Sequence, residues 1–240
     1  MHARLKNSAG AIAAALSLVL AIGSAEARGH LQTRQTGIEL PAGTRAGRLV
    51  LANTGDAPLA AQIRVYAWTQ DGNEDQLNPS TDLMASPPIV EIAADAEQLV
   101  RLVRPADGPV AREQAYRVVV DELPGDPGAT EGSAVAVRMR FLIPVFVRAT
   151  DPAPIALECR LEAAALACRN TGGRAAQLGA TSMTDAAGHK VEVTSGLLGY
   201  VLANSARRFP LESDKVAQLG SGLKLQVMLN GEPVTLDLAR

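Results

Sequence analysis

Large rings are scarce in this 240-residue chain: aromatics make up 3%, with one tryptophan, three tyrosines and three phenylalanines. Any core must therefore be filled by Val, Leu, Ile and Ala. Histidine is equally sparse, and past the first few residues only His30 and His189 remain. Neither stands in a pattern suited to a catalytic triad or to a metal site, which needs three or four clustered ligands, and both read as solvated loop residues. No Gly-rich loop sits at a strand-to-helix junction to cradle phosphate. The stretch "DELPGD" (121–126) gathers carboxylates without an evident acid/base partner. No catalytic residue, metal or cofactor emerges, and an enzyme is not expected. Excess charge is missing too: a formal net of −2 gives no electrostatic footprint for nucleic acid.

Only one long apolar run occurs, from Ala11 to Ile22. It follows His2, Arg4 and Lys6 and precedes "SAEA", in which Ala25 and Ala27 frame a small-x-small cleavage site. That is the grammar of a secretory signal peptide over residues 1–27, and the run is short for a retained span. A buried N-terminal helix is the alternative set aside. Cleavage would remove Arg4, Lys6 and Glu26 and move the net charge from −2 to −3. The mature chain is expected to be exported and not inserted in a membrane, since no later segment could cross one.

What is present is β-pattern. "GRLVLAN" (47–53), "AQIRVYAW" (61–68), "AEQLVRLVR" (96–104) and "QAYRVVVDEL" (114–123) read as strands, bounded by turns such as "NTGD", "DGNED", "PADGP" and "PGDPG". Many strands without intervening helical periodicity point to a sandwich or barrel. The prolines of "ATDPAPIA" suit a linker. Beyond it come "ALACRN" (165–170), "KVEVTS" (190–195), "KLQVML" (224–229) and "PVTLDL" (233–238), the last two flanking the hairpin signal Asn230-Gly231. The halves echo each other: "LVLANTGDAPLAAQI" (49–63) and "LACRNTGGRAAQLGA" (166–180) share strand, Asn-Thr-Gly turn and strand. Turns draw on few residue types, so the tripeptide alone could recur by chance. Taken with the strand count, it reads as two similar sandwich domains in tandem.

The two cysteines settle one ambiguity. "ALECRLEAAALACRN" (156–170) has good helix propensity, but on a helix Cys159 and Cys168 would stand about 13.5 Å apart, beyond disulfide reach. An exported chain is expected to oxidise its only pair. A hairpin turning near Glu162 to Ala165 would set them opposite each other, so a structural disulfide is expected and the helix is rejected.

The stretch "SAVAVRMRFLIPVFV" (133–147) alternates up to Phe141 and then becomes apolar on both faces, a longer strand than usual. With "NTGDAPLAAQIRVYAWTQDGNEDQL", "SPPIVEI", "AEQLVRLVR", "EQAYRVVVDELP" and "VRMRFLIPVF", in that order over residues 36–148, the chain resembles the first domain of the periplasmic pilus chaperones of the chaperone-usher pathway, above all their archaic branch. "GYVLANSARRFPL" and "NGEPVTLDL" resemble the second domain. The resemblance implies an all-β fold of two immunoglobulin-like sandwiches in a bent tandem, a periplasmic location, and as partners pilin subunits and an outer-membrane usher. It assigns residues 28–148 to the first domain, 149–154 to the linker and 155–240 to the second.

In this family a strand of the chaperone completes the pilin, an instance of β-strand addition. Val135, Val137 and Met139 match the donor positions that fill the subunit's groove, and Phe141 extends the row. Without the resemblance these alternate residues would belong to the chain's own core. The "YR" arginine that anchors the subunit's terminal carboxylate in the archaic branch maps to Arg117, which lies off the apolar face of its strand. Arg140, in the "MR" pair, would approach Arg117 on one face if the two strands are neighbours, and its share in the anchor is left open. The better-studied branch uses an arginine and a lysine where this chain has Gly37 and Pro144. A solvated Arg117 countered by Asp121 is the alternative. Ser86, Pro87 and Pro88 are expected to form a turn or the opening of a strand, with the proline isomers left open, and Trp68 is expected to be a packing residue. The competing function is an exported immunoglobulin-like adhesin or structural pilus component that uses the same strands only for its own core.

Overall fold

The computed structural model describes residues 29–72, 74–125 and 137–239. The expected signal peptide and Val135 lie outside the described residues. Period-two alternation interrupted by turn residues gives strands almost throughout. The first half forms β1 (Leu31–Thr33), β2 (Ile38–Leu40), β3 (Ala46–Asn53), β4 (Leu59–Gln70), β5 (Asp75–Pro79), β6 (Met84–Ser86), β7 (Ile89–Ile92), β8 (Glu97–Val103), β9 (Gln114–Glu122) and β10 (Arg140–Val147). Two sheets result, ordered β1-β3-β8-β6 and β2-β10-β9-β4-β5, with β7 also on β4. Leu49, Leu51, Val100 and Leu102 of one sheet and Ile63, Val118, Val120 and Val145 of the other bury themselves in a shared aliphatic core.

The second half repeats the architecture with β11 (Leu157–Glu162), β12 (Ala165–Asn170), β13 (Ala176–Thr184), β14 (Lys190–Thr194), β15 (Gly199–Val201), β16 (Ser205–Pro210), the short helix α1 (Ser213–Ala217), β17 (Leu223–Leu229) and β18 (Glu232–Leu238). Its sheets run β11-β12-β16 and β14-β13-β17-β18, with β15 on β13, around Leu161, Leu166, Leu178, Met183 and Leu225. The fold is thus all-β, two sandwiches in succession. Cys159 stands directly opposite Cys168 across the β11–β12 hairpin and is bonded to it, so the hairpin and not the helix forms. Asn230 and Gly231 turn β17 into β18 with φ of 49° and 87°, the left-handed pair that such a hairpin needs. The Ser86–Pro87 bond is cis.

The Asn-Thr-Gly echo is a repeated structural device. Asn53, 1% exposed, donates from Nδ2 to the carbonyls of Ala57 (2.7 Å), Ile92 (3.2 Å) and Ala93 (3.1 Å), while its Oδ1 accepts from the N–H groups of His30 and Gly55 (both 3.0 Å). Asn170, fully buried, does the same with the carbonyls of Arg174 (2.7 Å), Val201 (3.2 Å) and Leu202 (3.3 Å) and the N–H groups of Ala156 (3.4 Å) and Gly172 (2.9 Å). One buried amide per sandwich thereby binds five backbone groups at turns and strand ends. The turn after Asn170 also needs its glycine. A Cβ on Gly172 would fall 2.2 Å from the Pro154 carbonyl oxygen of the passing segment.

One expectation fails in extent. The strand read over 133–147 begins at Arg140 within the described residues, because its neighbour β9 ends at Glu122. Met139 still makes backbone contact with Glu122, accepting its N–H at 3.0 Å, and Val137 and Arg138 precede any ladder.

Replacing Asn170 by Ala strands several buried backbone groups at once, so a loss of about 3 kcal/mol is expected in urea unfolding, at the upper end for a broken buried polar cluster. A loss below about 1 kcal/mol would mean that the amide is not what closes this turn.

Candidate functional site

The two edges of β10 are not equally occupied. On one edge β9 pairs with all of it, from Arg140 opposite Asp121 to Val147 opposite Gln114. On the other, β2 lies parallel to it and reaches only Val145 to Val147. The edge from Arg140 to Pro144 therefore faces no strand among the described residues, and its backbone groups are a template for pairing. The side chains on the inner face follow a gradient. Val147, Val145 and Ile143 are buried in the first core, Phe141 and Met139 pack at its rim half-buried, and Val137 is 76% exposed. An apolar row thus runs off the end of the sandwich into solvent.

The opposite face carries Arg140, Leu142, Pro144 and Phe146 of β10. Across the ladder Arg117 is level with Pro144, and Asp121 with Arg140. Arg117 and Arg140 share this face but stand four residues apart, about 13 Å by strand rise. They do not form one fork, and their surroundings differ. Arg140 and Arg64 of β4 both hold the Asp121 carboxylate. Burial raises the Asp121 pKa, but hydrogen bonds and charge from the two arginines outweigh it and leave the group below the ordinary carboxylate range. Asp121 thus answers Arg64 and Arg140 and not, as the alternative had it, Arg117.

Arg117 makes no ion pair among the described residues. Its guanidinium carbon lies 3.6 Å from the centroid of the Trp68 ring and 5.3 Å from that of Tyr200, which comes from the second sandwich. Burial lowers its pKa, against smaller contributions from Tyr200 and Asp75. Among the described residues this partly desolvated cation meets ring faces and the field of Asp75, which is itself paired with Arg207, and has no ion pair of its own. Trp68, 2% exposed, is the packing residue expected from the sequence, and it is also the platform under Arg117.

The platform belongs to the contact between the sandwiches, most of which sequence reading missed. Trp68 and Phe146 pack against Tyr200, with ring centroids 5.4–6.0 Å apart, and Ala175 and Leu202 complete the cluster. Gln70 donates to the Tyr200 carbonyl (2.8 Å) and accepts from the Leu202 N–H (2.9 Å). Glu113 accepts from the Ala175 N–H (2.8 Å) and pairs with Arg148, which also pairs with Glu39. Burial pushes the Glu113 carboxyl up despite Arg148. No local pattern marks these partners; only the "GY" of "GYVLANSARRFPL" flagged Tyr200's neighbourhood.

Residues 30–153 match the family model of the pili and flagellar-assembly chaperones, PapD N-terminal domain. The chain belongs to this family of pilus chaperones. Solved structures agree in fold. The complex of CsuC and the tip adhesion subunit CsuE, from the archaic chaperone-usher Csu pili of Acinetobacter baumannii, superposes with a TM-score of 0.66 at 24% identity, covering 89% of this chain and 99% of that one. The YadV chaperone gives 0.63 at 18% identity, over 87% and 99%. The Salmonella enterica SafA pilin in complex with the SafB chaperone gives 0.61 at 18%, over 87% and 96%. The curated proteins contain no match to the sequence. In this pilus chaperone the unpaired edge of β10 and the cation on Trp68 lie on the same sandwich, within one sheet.

The depressed pKa of Asp121 gives its pH dependence a sign. A carboxylate whose folded pKa lies below its unfolded value contributes stability that is complete above the unfolded value and is lost as pH falls through the folded one. The stability gap between wild type and Asp121→Asn in urea titrations is therefore expected to be widest near neutrality and to close as the pH drops below about 4. A gap that widens on acidification would contradict the double pairing with Arg64 and Arg140.

Proposed function

We propose that this protein captures pilin subunits by lending them the row from Val135 to Phe141 along the open edge of β10, and delivers them to an outer-membrane usher. The observation that carries the reading is the pairing of that open edge with an apolar row that leaves its own core. Inner-face residues of a sandwich normally end where the core ends, and Val137 does not. An incomplete sandwich laid against this edge would gain backbone hydrogen bonds from β10 and fill its groove with the alternate side chains. Val137 and Val135 would enter deepest, whereas Phe141 and Met139 would join the two cores at the rim. An adhesin using these residues for its own interior has no use for an exposed Val137.

Arg117 is the anchor we favour for the subunit's terminal carboxylate. Its guanidinium is preorganised by Trp68 and has no ion pair among the described residues, and a planar fork suits a carboxylate. Arg140, already held by Asp121, is a weaker candidate than the sequence made it. The work requires binding and release and no catalysis. It suits a soluble periplasmic protein of two domains, residues 28–148 and 155–240, joined by 149–154 after removal of 1–27.

Two substitutions test the reading in co-purification with a pilin subunit. Val137→Asp puts a charge into a dry groove, so capture is expected to fall at least tenfold while the melting temperature of the free chaperone hardly moves. Arg117→Ala is expected to abolish stable capture, and Arg117→Lys to restore it in part, since an ammonium lacks the bidentate fork. Amidating the subunit's carboxylate is expected to add little to the Arg117→Ala defect, because both changes break one contact. Simple additivity would place the anchor elsewhere, and unfolding of the Val137 variant would return that residue to the chaperone's own core.

A further inference from the structure

The open edge of β10 stops where β2 begins, and that fixes where an added strand can end. A strand laid parallel to β10 along Arg140–Pro144 meets Gly37 and Ile38 at the level of Val145, so its last residue arrives beside Gly37 and Pro144. A cleft of about 340 Å³ opens there, bordered by Gly37, Glu39, Pro144 and Arg148 from the first sandwich and by Arg174 and Tyr200 from the second. Arg174 brings to it an Nε that is buried and without a hydrogen-bond partner among the described residues.

The backbone under Arg174 is fixed. Its carbonyl accepts from the Asn170 amide at 2.7 Å, and the following residue, Ala175, donates its N–H to Glu113 at 2.8 Å and accepts from Asn230 Nδ2 at 3.3 Å. Arg148 and Arg174 both act to lower the Glu39 and Glu113 pKa values, so the carboxylates on this side of the domain contact are not without cations. Tyr200 borders the cleft and also lies against Arg117, so the end of the added strand arrives beside a ring that already carries a guanidinium.

We infer that Arg174, in the second sandwich, is a further arm of the site that takes the subunit's C-terminal carboxylate. The inference rests on the donor-strand reading above and adds to it a residue of the second sandwich that binds the subunit directly.

The test uses the mature chaperone and a synthetic peptide copying the subunit's C-terminal strand, once with a free carboxylate and once as the amide. Binding is followed by the emission of Trp68, the only tryptophan in the chain, which stacks on Arg117. Wild type is expected to prefer the acid. Arg174→Ala is expected to weaken the acid about tenfold, the usual worth of a charge-assisted hydrogen bond, and to leave the amide unchanged. Arg174→Lys should recover part of the preference. If Arg174→Ala does not fold, Arg174→Gln carries the same comparison, since acid and amide are compared within one variant. Full acid preference in the Arg174 variants overturns the inference, and so does an equal loss for acid and amide with no recovery in Arg174→Lys. Wild type that binds both forms alike defeats carboxylate anchoring as a whole, and wild type that binds neither defeats the donor-strand reading beneath it.

Discussion

A β-strand must find partners for the backbone groups on both of its edges, and among the described residues β10 finds them along the whole of one edge and only part of the other. β2 covers the last three residues of that other edge, in parallel, and leaves five facing no described strand. Such an edge is a liability in most proteins, because any extended chain can pair with it. On the proposed donor-strand reading, the side chains beside it would make the pairing selective. One face offers a graded apolar row, and the other offers a cation on an aromatic platform. The end of β2 would then set the register, and a slip by one residue would turn every donor side chain to the wrong face.

The second sandwich matters to this arrangement through the contact it makes with the first. Tyr200 closes the platform under Arg117, and Glu113 ties the turn of Ala175 to Arg148. That turn hangs from Asn170, which is the counterpart of Asn53 in the first sandwich, so a device of folding also positions residues at the domain contact. The duplication is uneven in consequence. The position four residues after Asn53 is Ala57, and the position four after Asn170 is Arg174.

Much of the fold was legible because its rules are local. Alternation marked β3, β4, β8 and β9, the Asn-Gly pair marked the β17–β18 hairpin, and the cysteines decided between hairpin and helix for 156–170. β1 and β2 were not legible: three residues give too little period to see, and β2 matters for where it ends. The parity of Arg117 was visible, but its partner was not, since register decides that Asp121 meets Arg140 while Arg117 meets Pro144. Glu113, Arg148, Tyr200 and Arg174 meet across the two halves, and nothing in the spacing of residues so distant in sequence announces it.

Amide hydrogen exchange, compared between the free chaperone and its complex with a pilin subunit, tests most directly whether the open edge of β10 is where the subunit binds. Protection is expected to appear on residues 137–143, whose outer backbone groups face no strand among the described residues, while the β11-β12-β16 sheet stays unchanged. A complex in which 137–143 exchange as fast as in the free chaperone would contradict strand addition at this edge.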